Sequence, residues 1–244
     1  MFIKRSALVI SGLSLLILII GGCGSDEENP ITPTLPPQPP TFQTKAIDLP
    51  QAMLNSSNDM AKQAIAIVEE TLQFEPYGCR FEAPADAEAV KEKAGDWEYK
   101  WTTNGLTQTL QITSVSGRTT WKIFYDGSDG SQTYNNWRFM DTVQSTDLSS
   151  GHITLFKAGT NMTEIEWVWY TLELDVYKLI KQFYGEPPYK IEITVKPDKS
   201  GKIDKFTRNS AGNMVYDVKF SWNEDGSGSY WTFEEGVQTS FGTW

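Results

Sequence analysis

Few residues here could do chemistry, and each also has a plainer reading. His152 is the only histidine in 244 residues, which excludes multi-histidine metal sites. A Ser-His-Asp triad would have to use it, yet Gly151-His152-Ile153 reads as a turn entering a strand. The chain has no Gly-x-Ser-x-Gly elbow, glycine-rich nucleotide loop or Cys-x-x-Cys. Asn223, Asp225, Ser227, Gly228 and Glu234 fall at positions 1, 3, 5, 6 and 12 of a calcium loop, where oxygen ligands and a glycine bend would suit Ca2+. Asn stands at the first position instead of Asp, and the flanks are strand-like, so a hairpin turn is the first reading. Carboxylate pairs such as Glu164 with Glu166, or Glu173 with Asp175, could serve glycoside hydrolysis only at a suitable separation. The remaining signal is aromatic. Nine tryptophans is high for this length, and Glu166-Trp167-Val168-Trp169-Tyr170 puts Trp167 and Trp169 on one face of a strand. With Trp121 and Trp137 they could line a groove that stacks on sugar rings or encloses an apolar chain. The plainer reading is a core and a half-buried sheet, since aromatics suit pleated surfaces.

The two cysteines differ. Cys79 alone has no intramolecular partner once Cys23 is modified, and it reads as a small buried side chain; a reactive thiol, lowered by Arg80, is the alternative. Before Cys23 come Lys4 and Arg5, an apolar run of about 14 residues from Ala7 to Ile20, then small residues. That order is a secretory signal, too short for the roughly 20 residues of a spanning helix. Leu18-Ile19-Ile20-Gly21-Gly22-Cys23 resembles the lipobox of bacterial lipoproteins. The resemblance implies a diacylglycerol on the Cys23 thiol, cleavage after Gly22 and acylation of the new N-terminus, and two or more acyl chains give stable anchoring. Gly24-Ser25-Asp26-Glu27-Glu28 resembles the Ser-plus-acidic signal that sends some lipoproteins to the cell surface; an acidic linker is the alternative. The expected location is the outer membrane, on its periplasmic face or at the cell surface.

Residues 1–22 are the expected signal peptide and 23–47 the lipidated cysteine and tether, whose proline run over 29–41 should adopt extended polyproline II. Residues 48–244 form one β-rich domain. Met60, Ala64, Ile67, Val68, Thr71 and Leu72 share a helix face over 51–73, and 85–94 suits a short helix ended by Gly95. From Trp97 the period changes to two. Strands are predicted at 97–103, 107–115, 118–125, 134–142, 151–157, 164–173, 189–196, 202–208, 214–222 and 228–234, with turn chemistry such as Asn104-Gly105, Ser116-Gly117 and Asp225-Gly226 between them. Residues 175–184 fit helix or strand. Short connections favour an antiparallel meander of about ten strands, mainly β in an α+β class, curled into a half-open barrel or strongly bent sheet. The helix-then-meander order resembles the half-open barrels of lipoprotein carriers and receptors.

The chain carries a net charge of −10, which becomes −12 without Lys4 and Arg5. Without basic stripes, nucleic acid is an unsuitable partner. The functional expectation is a lipid-anchored envelope protein whose domain binds an apolar or glycan ligand or a protein partner. An enzyme acting on envelope polysaccharide and a purely structural assembly subunit are the alternatives.

Overall fold

The computed structural model describes residues 38–244. Cys23, the signal segment and the tether up to residue 37 lie outside the described residues.

Thirteen strands follow one another in a single antiparallel meander, each paired with its neighbours in sequence. They are β1 (Glu88–Lys93), β2 (Asp96–Thr103), β3 (Leu106–Val115), β4 (Arg118–Ser128), β5 (Thr133–Ser145), β6 (Ser150–Phe156), β7 (Thr163–Thr171), β8 (Tyr177–Phe183), β9 (Tyr189–Val195), β10 (Gly201–Arg208), β11 (Met214–Trp222), β12 (Gly228–Glu234) and β13 (Val237–Thr243). The sheet does not close: β1 and β13 are its two edges. The predicted meander holds, and three strands are added to the expected ten. Asn104-Gly105 and Ser116-Gly117 have positive φ at both residues, the geometry of two-residue hairpins that match strand twist.

One face of the sheet is apolar and covered. Leu110, Ile112, Trp121, Ile123, Met140, Ile153, Ile165, Trp167, Leu179, Ile193 and Ile203 alternate inward along their strands and form one buried cluster with Ala61, Ala64, Ile67 and Val68. Fully burying such a side chain stabilises by roughly 1.5–3 kcal/mol. The covering helix is not continuous. It divides into α1 (Gln51–Leu54) and α2 (Asp59–Thr71) because Asn55-Ser56-Ser57-Asn58 offers side-chain oxygens to the backbone, and the Asn58 carboxamide caps α2 by accepting from the Met60 and Ala61 amides. The packed chain also begins before residue 48. Phe42 and Ile47 lie against the core and Leu49 is buried, so an extended strap from about residue 42 supplements the helix.

One segment differs from expectation, and one left open between helix and strand is settled. The stretch 85–94 is strand β1 and not a short helix. Its six residues are all exposed, so no alternation betrays a strand, and Gly95 at φ 83° turns it back onto β2. Its Lys and Glu side chains suit an edge. Residues 177–183 are strand β8, with Tyr177, Leu179 and Lys181 inward.

A repeated device closes three hairpins. Asp147, Asp198 and Asp225 each accept from the amide and hydroxyl of the serine two residues on, and a glycine follows: Gly151, Gly201 and Gly228. Over each glycine lies the indole of its cross-strand partner, Trp169, Trp222 or Trp244, where an added Cβ would overlap the ring. Gly201→Ala should therefore destabilise the protein by about 1–3 kcal/mol through overpacking against the Trp222 indole and the Thr194 carbonyl, read as a lower urea midpoint with an unchanged m-value; no change would mean that both give way freely.

Candidate functional site

The structure divides the four candidate tryptophans. Trp121, Trp167 and Trp169 face inward with relative exposures of 1%, 0% and 2%, so they pack in the core and present no surface platform. The Trp167 indole donates to the Thr71 carbonyl at 3.0 Å and so ties β7 to the end of α2. Trp137 is half-buried and lines an open recess of about 520 Å³ with Asn135, Asn136, Arg138 and Asn161. Its indole donates to the Thr160 carbonyl at 2.7 Å. One ring face is stacked on Tyr134 at 5.0 Å.

The calcium-loop residues are not brought together. Asn223, Asp225 and Ser227 form the β11–β12 turn, where Asn223 donates to the Ser227 hydroxyl and Asp225 accepts from Ser227. Glu234 ends the strand that leads away from that turn. The turn satisfies its own oxygens, and the Asp225 carboxyl is held low by Ser227's hydroxyl and amide. Among the described residues no group of three or more His, Cys, Asp or Glu is placed to hold a metal ion. Cys79 is free and buried, and burial pushes its thiol up to about 12, opposite to what a reactive cysteine requires. His152 lies half-buried on β6 between Val143 and Val168.

One inward residue is charged. Lys181 is fully buried; its ammonium donates to the Tyr77 hydroxyl at 2.9 Å and lies 3.5 Å from the Glu70 carboxylate. It sits over the Tyr77 ring at 4.6 Å and the Trp167 and Tyr189 rings at 5.8 Å. A buried cation is costly unless paired; here the partners come from α2 and the turn after it, so the ion pair fixes the cover to the sheet.

The exposed chemistry lies on the opposite face, at the C-terminal end. Alternation against the inward Ile203 and Tyr230 puts Phe206, Trp231 and Phe233 outward, and Phe241 follows as the partner of Trp231. Tyr216 has the parity of the inward Val218, and the bulge that pairs it with Phe206 turns it outward. Phe206 and Tyr216 stack at 4.6 Å, Tyr216 meets Phe233 at 5.4 Å, and Trp231 meets its cross-strand partner Phe241 at 5.3 Å. Lys219 joins the two groups, 4.7 Å from the Tyr216 ring and 5.9 Å from that of Trp231, and Lys190 lies 4.5 Å over Phe206. Tyr216 and Phe241 are 36% and 56% exposed. Beside the rings, Glu192 is bonded by Lys178 and Lys190 at 2.8 Å each, and Asp204 by Lys202 at 2.7 Å with Lys219 at 3.9 Å. Four lysines around two carboxylates give this patch the opposite sign to the whole chain. The sequence analysis singled out none of these residues; Trp231 is one of its nine tryptophans. The available signal was the alternation along 228–234; along 214–222 it would put Tyr216 inward with Val218, and the bulge that turns it outward leaves no mark in the sequence, while strand β13, which brings Phe241, was not anticipated.

No protein-family model matches the chain, and no curated protein is significantly similar to it. Among the described residues no helix is long and apolar enough to cross a membrane.

The lysine ladder has a defined pH response. Burial alone would raise the Glu192 carboxyl, but hydrogen bonds from Lys178 and Lys190 hold it below its ordinary 4.5, and the bond to Glu192 holds the Lys178 ammonium above its ordinary 10.5. A carboxyl lowered on folding stabilises above 4.5 and loses this as pH falls; an ammonium raised on folding stabilises below 10.5 and loses it as pH rises. Glu192→Gln should lower stability at pH 7 by roughly 0.5–1 kcal/mol, and the gap to the parent in urea unfolding should close at pH 3. An equal gap at both pH values would assign the loss to shape, not charge.

Proposed function

We propose that this chain is an envelope lipoprotein, anchored to the outer membrane through lipid on Cys23, whose domain is a binding module for an acidic glycan. The observation that carries the reading is the uncovered aromatic surface of Phe206, Tyr216, Trp231, Phe233 and Phe241, interleaved with Lys190 and Lys219. Exposed apolar patches on a folded domain mark interaction sites. Flat rings on a sheet face suit the C–H faces of sugars, and the surplus of lysines suits carboxyl or phosphate substituents. The inward face favours this choice over a carrier of apolar cargo, since α1, α2 and the strap already occupy it. The lipobox at Leu18–Cys23 supports the anchor, and the proline run supports a spacer that holds the domain away from the membrane.

The free edge of β13 favours a second reading. Val237 is 69% exposed there, and an edge without charged blockers can take a strand from a partner protein.

Two substitutions separate anchor from platform. Cys23→Ala should move the protein from the membrane to the soluble fraction without affecting glycan binding. Trp231→Ala should stay in the membrane fraction yet weaken binding to an alginate hexamer about tenfold, near 1.4 kcal/mol, while Lys219→Gln should abolish the preference for alginate over cellohexaose. Binding that is absent in the parent, or unchanged by Trp231→Ala, would overturn the glycan reading and favour the β13 edge.

A further inference from the structure

Among the described residues three buried side-chain polar atoms have no hydrogen-bond partner: the Trp121 and Trp169 indole nitrogens and the Thr142 hydroxyl. They share one neighbourhood on the inward face. Thr142 is the cross-strand partner of Trp121. Both indoles meet the ring of Phe42, at 5.6 Å and 6.0 Å and nearly perpendicular to it. Buried donors are ordinarily paired, and leaving one unpaired carries a desolvation penalty.

The hairpin repeat shows that the vacancy at Trp169 has a specific cause. Trp222 and Trp244, in the same pose over Gly201 and Gly228, donate to carbonyls of their own hairpins, Lys199 at 2.7 Å and Gly226 at 3.0 Å. The hairpin before Gly151 contains one more serine, Ser149-Ser150 against the single Ser200 or Ser227. The corresponding carbonyl is thereby out of reach of Trp169. Phe42, which fills the space, has no acceptor to replace it.

Phe42 has open space on one side. It is half-buried and stacks at 3.8 Å on Phe81. Its outer side lines an open groove of about 820 Å³ with Leu72, Phe74 and Arg80. The strap is held next to it by one side chain, the Gln144 carboxamide, which receives the Gln43 amide at 3.3 Å and donates to the Gln43 carbonyl. Swinging Phe42 into the groove would leave a space of ring size above two N–H donors and a hydroxyl.

We propose that the nook of Trp121, Thr142 and Trp169 binds a small neutral apolar molecule bearing an acceptor oxygen, a ketone or ester in type, and that Phe42 is the side chain it displaces. Neutrality follows from the lining: indole and hydroxyl groups in an apolar cluster would not compensate a buried charge. The proposal is independent of the outward platform, which lies on the other face.

The test uses the chain from Gly24 onward, which retains all the described structure, with 15N-labelled tryptophan. Acetophenone is the probe; cumene, of similar shape but without an acceptor, is the control. In the unsubstituted chain acetophenone should move the indole N–H signals of Trp121 and Trp169 downfield and leave those of Trp222 and Trp244 in place. Phe42→Ala should tighten acetophenone at least tenfold and bind cumene at least tenfold more weakly than acetophenone; adding Thr142→Val or Trp169→Phe should narrow that difference. Equal binding of the two probes by Phe42→Ala would overturn the proposal. So would unmoved Trp121 and Trp169 signals in the unsubstituted chain, as expected if a fixed water holds the nook. That titration decides the matter alone if Phe42→Ala fails to fold.

Discussion

A sheet of thirteen strands presents one apolar face, and covering it is the constraint on which the rest depends. α2 has 13 residues, about 20 Å at 1.5 Å per residue, too short to cover all the strands. The chain recruits the strap around Phe42, the short helix α1 and the turn at Glu75–Tyr77. The fastening is polar. Lys181 reaches from β8 to Tyr77 and Glu70, and Trp167 reaches from β7 to Thr71. A lysine at a fully buried site would be a liability without those partners; with them it fixes where the cover sits, because no other position pairs the charge.

The cover acts on one face only, and the two faces serve different ends. Inward tryptophans fill volume, lean on glycines and close hairpins. On the outward face of the last strands, rings with no structural obligation stand beside lysines. The register irregularities between Lys205 and Phe206 and between Thr232 and Phe233 locally increase twist and bring Phe206, Tyr216 and Phe233 into one row. A binding surface on a continuous sheet inherits rigidity from the core behind it, so its rings need little ordering when a ligand arrives.

Much of the architecture was legible in the sequence because its signals are local. Asn-Gly and Ser-Gly turns and period-two runs marked ten strands and their antiparallel order. β1 and β13 were missed and β8 was left between helix and strand because their apolar alternation is weak: β1 is exposed throughout, β8 turns a lysine inward, and β13 lies at an open edge. Which side of the sheet is exposed was not legible, for a different reason. Alternation puts Trp167 and Trp169 on the same side, but it does not say which side is covered; that is decided by α2 and the strap, far off in sequence. Likewise the extra serine at 149–150 has meaning only beside the hairpins at 198–201 and 225–228.

The central claim is that an acidic glycan meets the outward face of β10–β13. Hydroxyl-radical footprinting of the intact chain with saturating alginate hexamer tests it most directly, because it reads side chains. The account predicts that oxidation of Tyr216, Trp231 and Phe241 falls while that of Trp137 and Phe42 is unchanged. Protection at Phe42 or Trp137, with Trp231 still oxidised at its free rate, would contradict it.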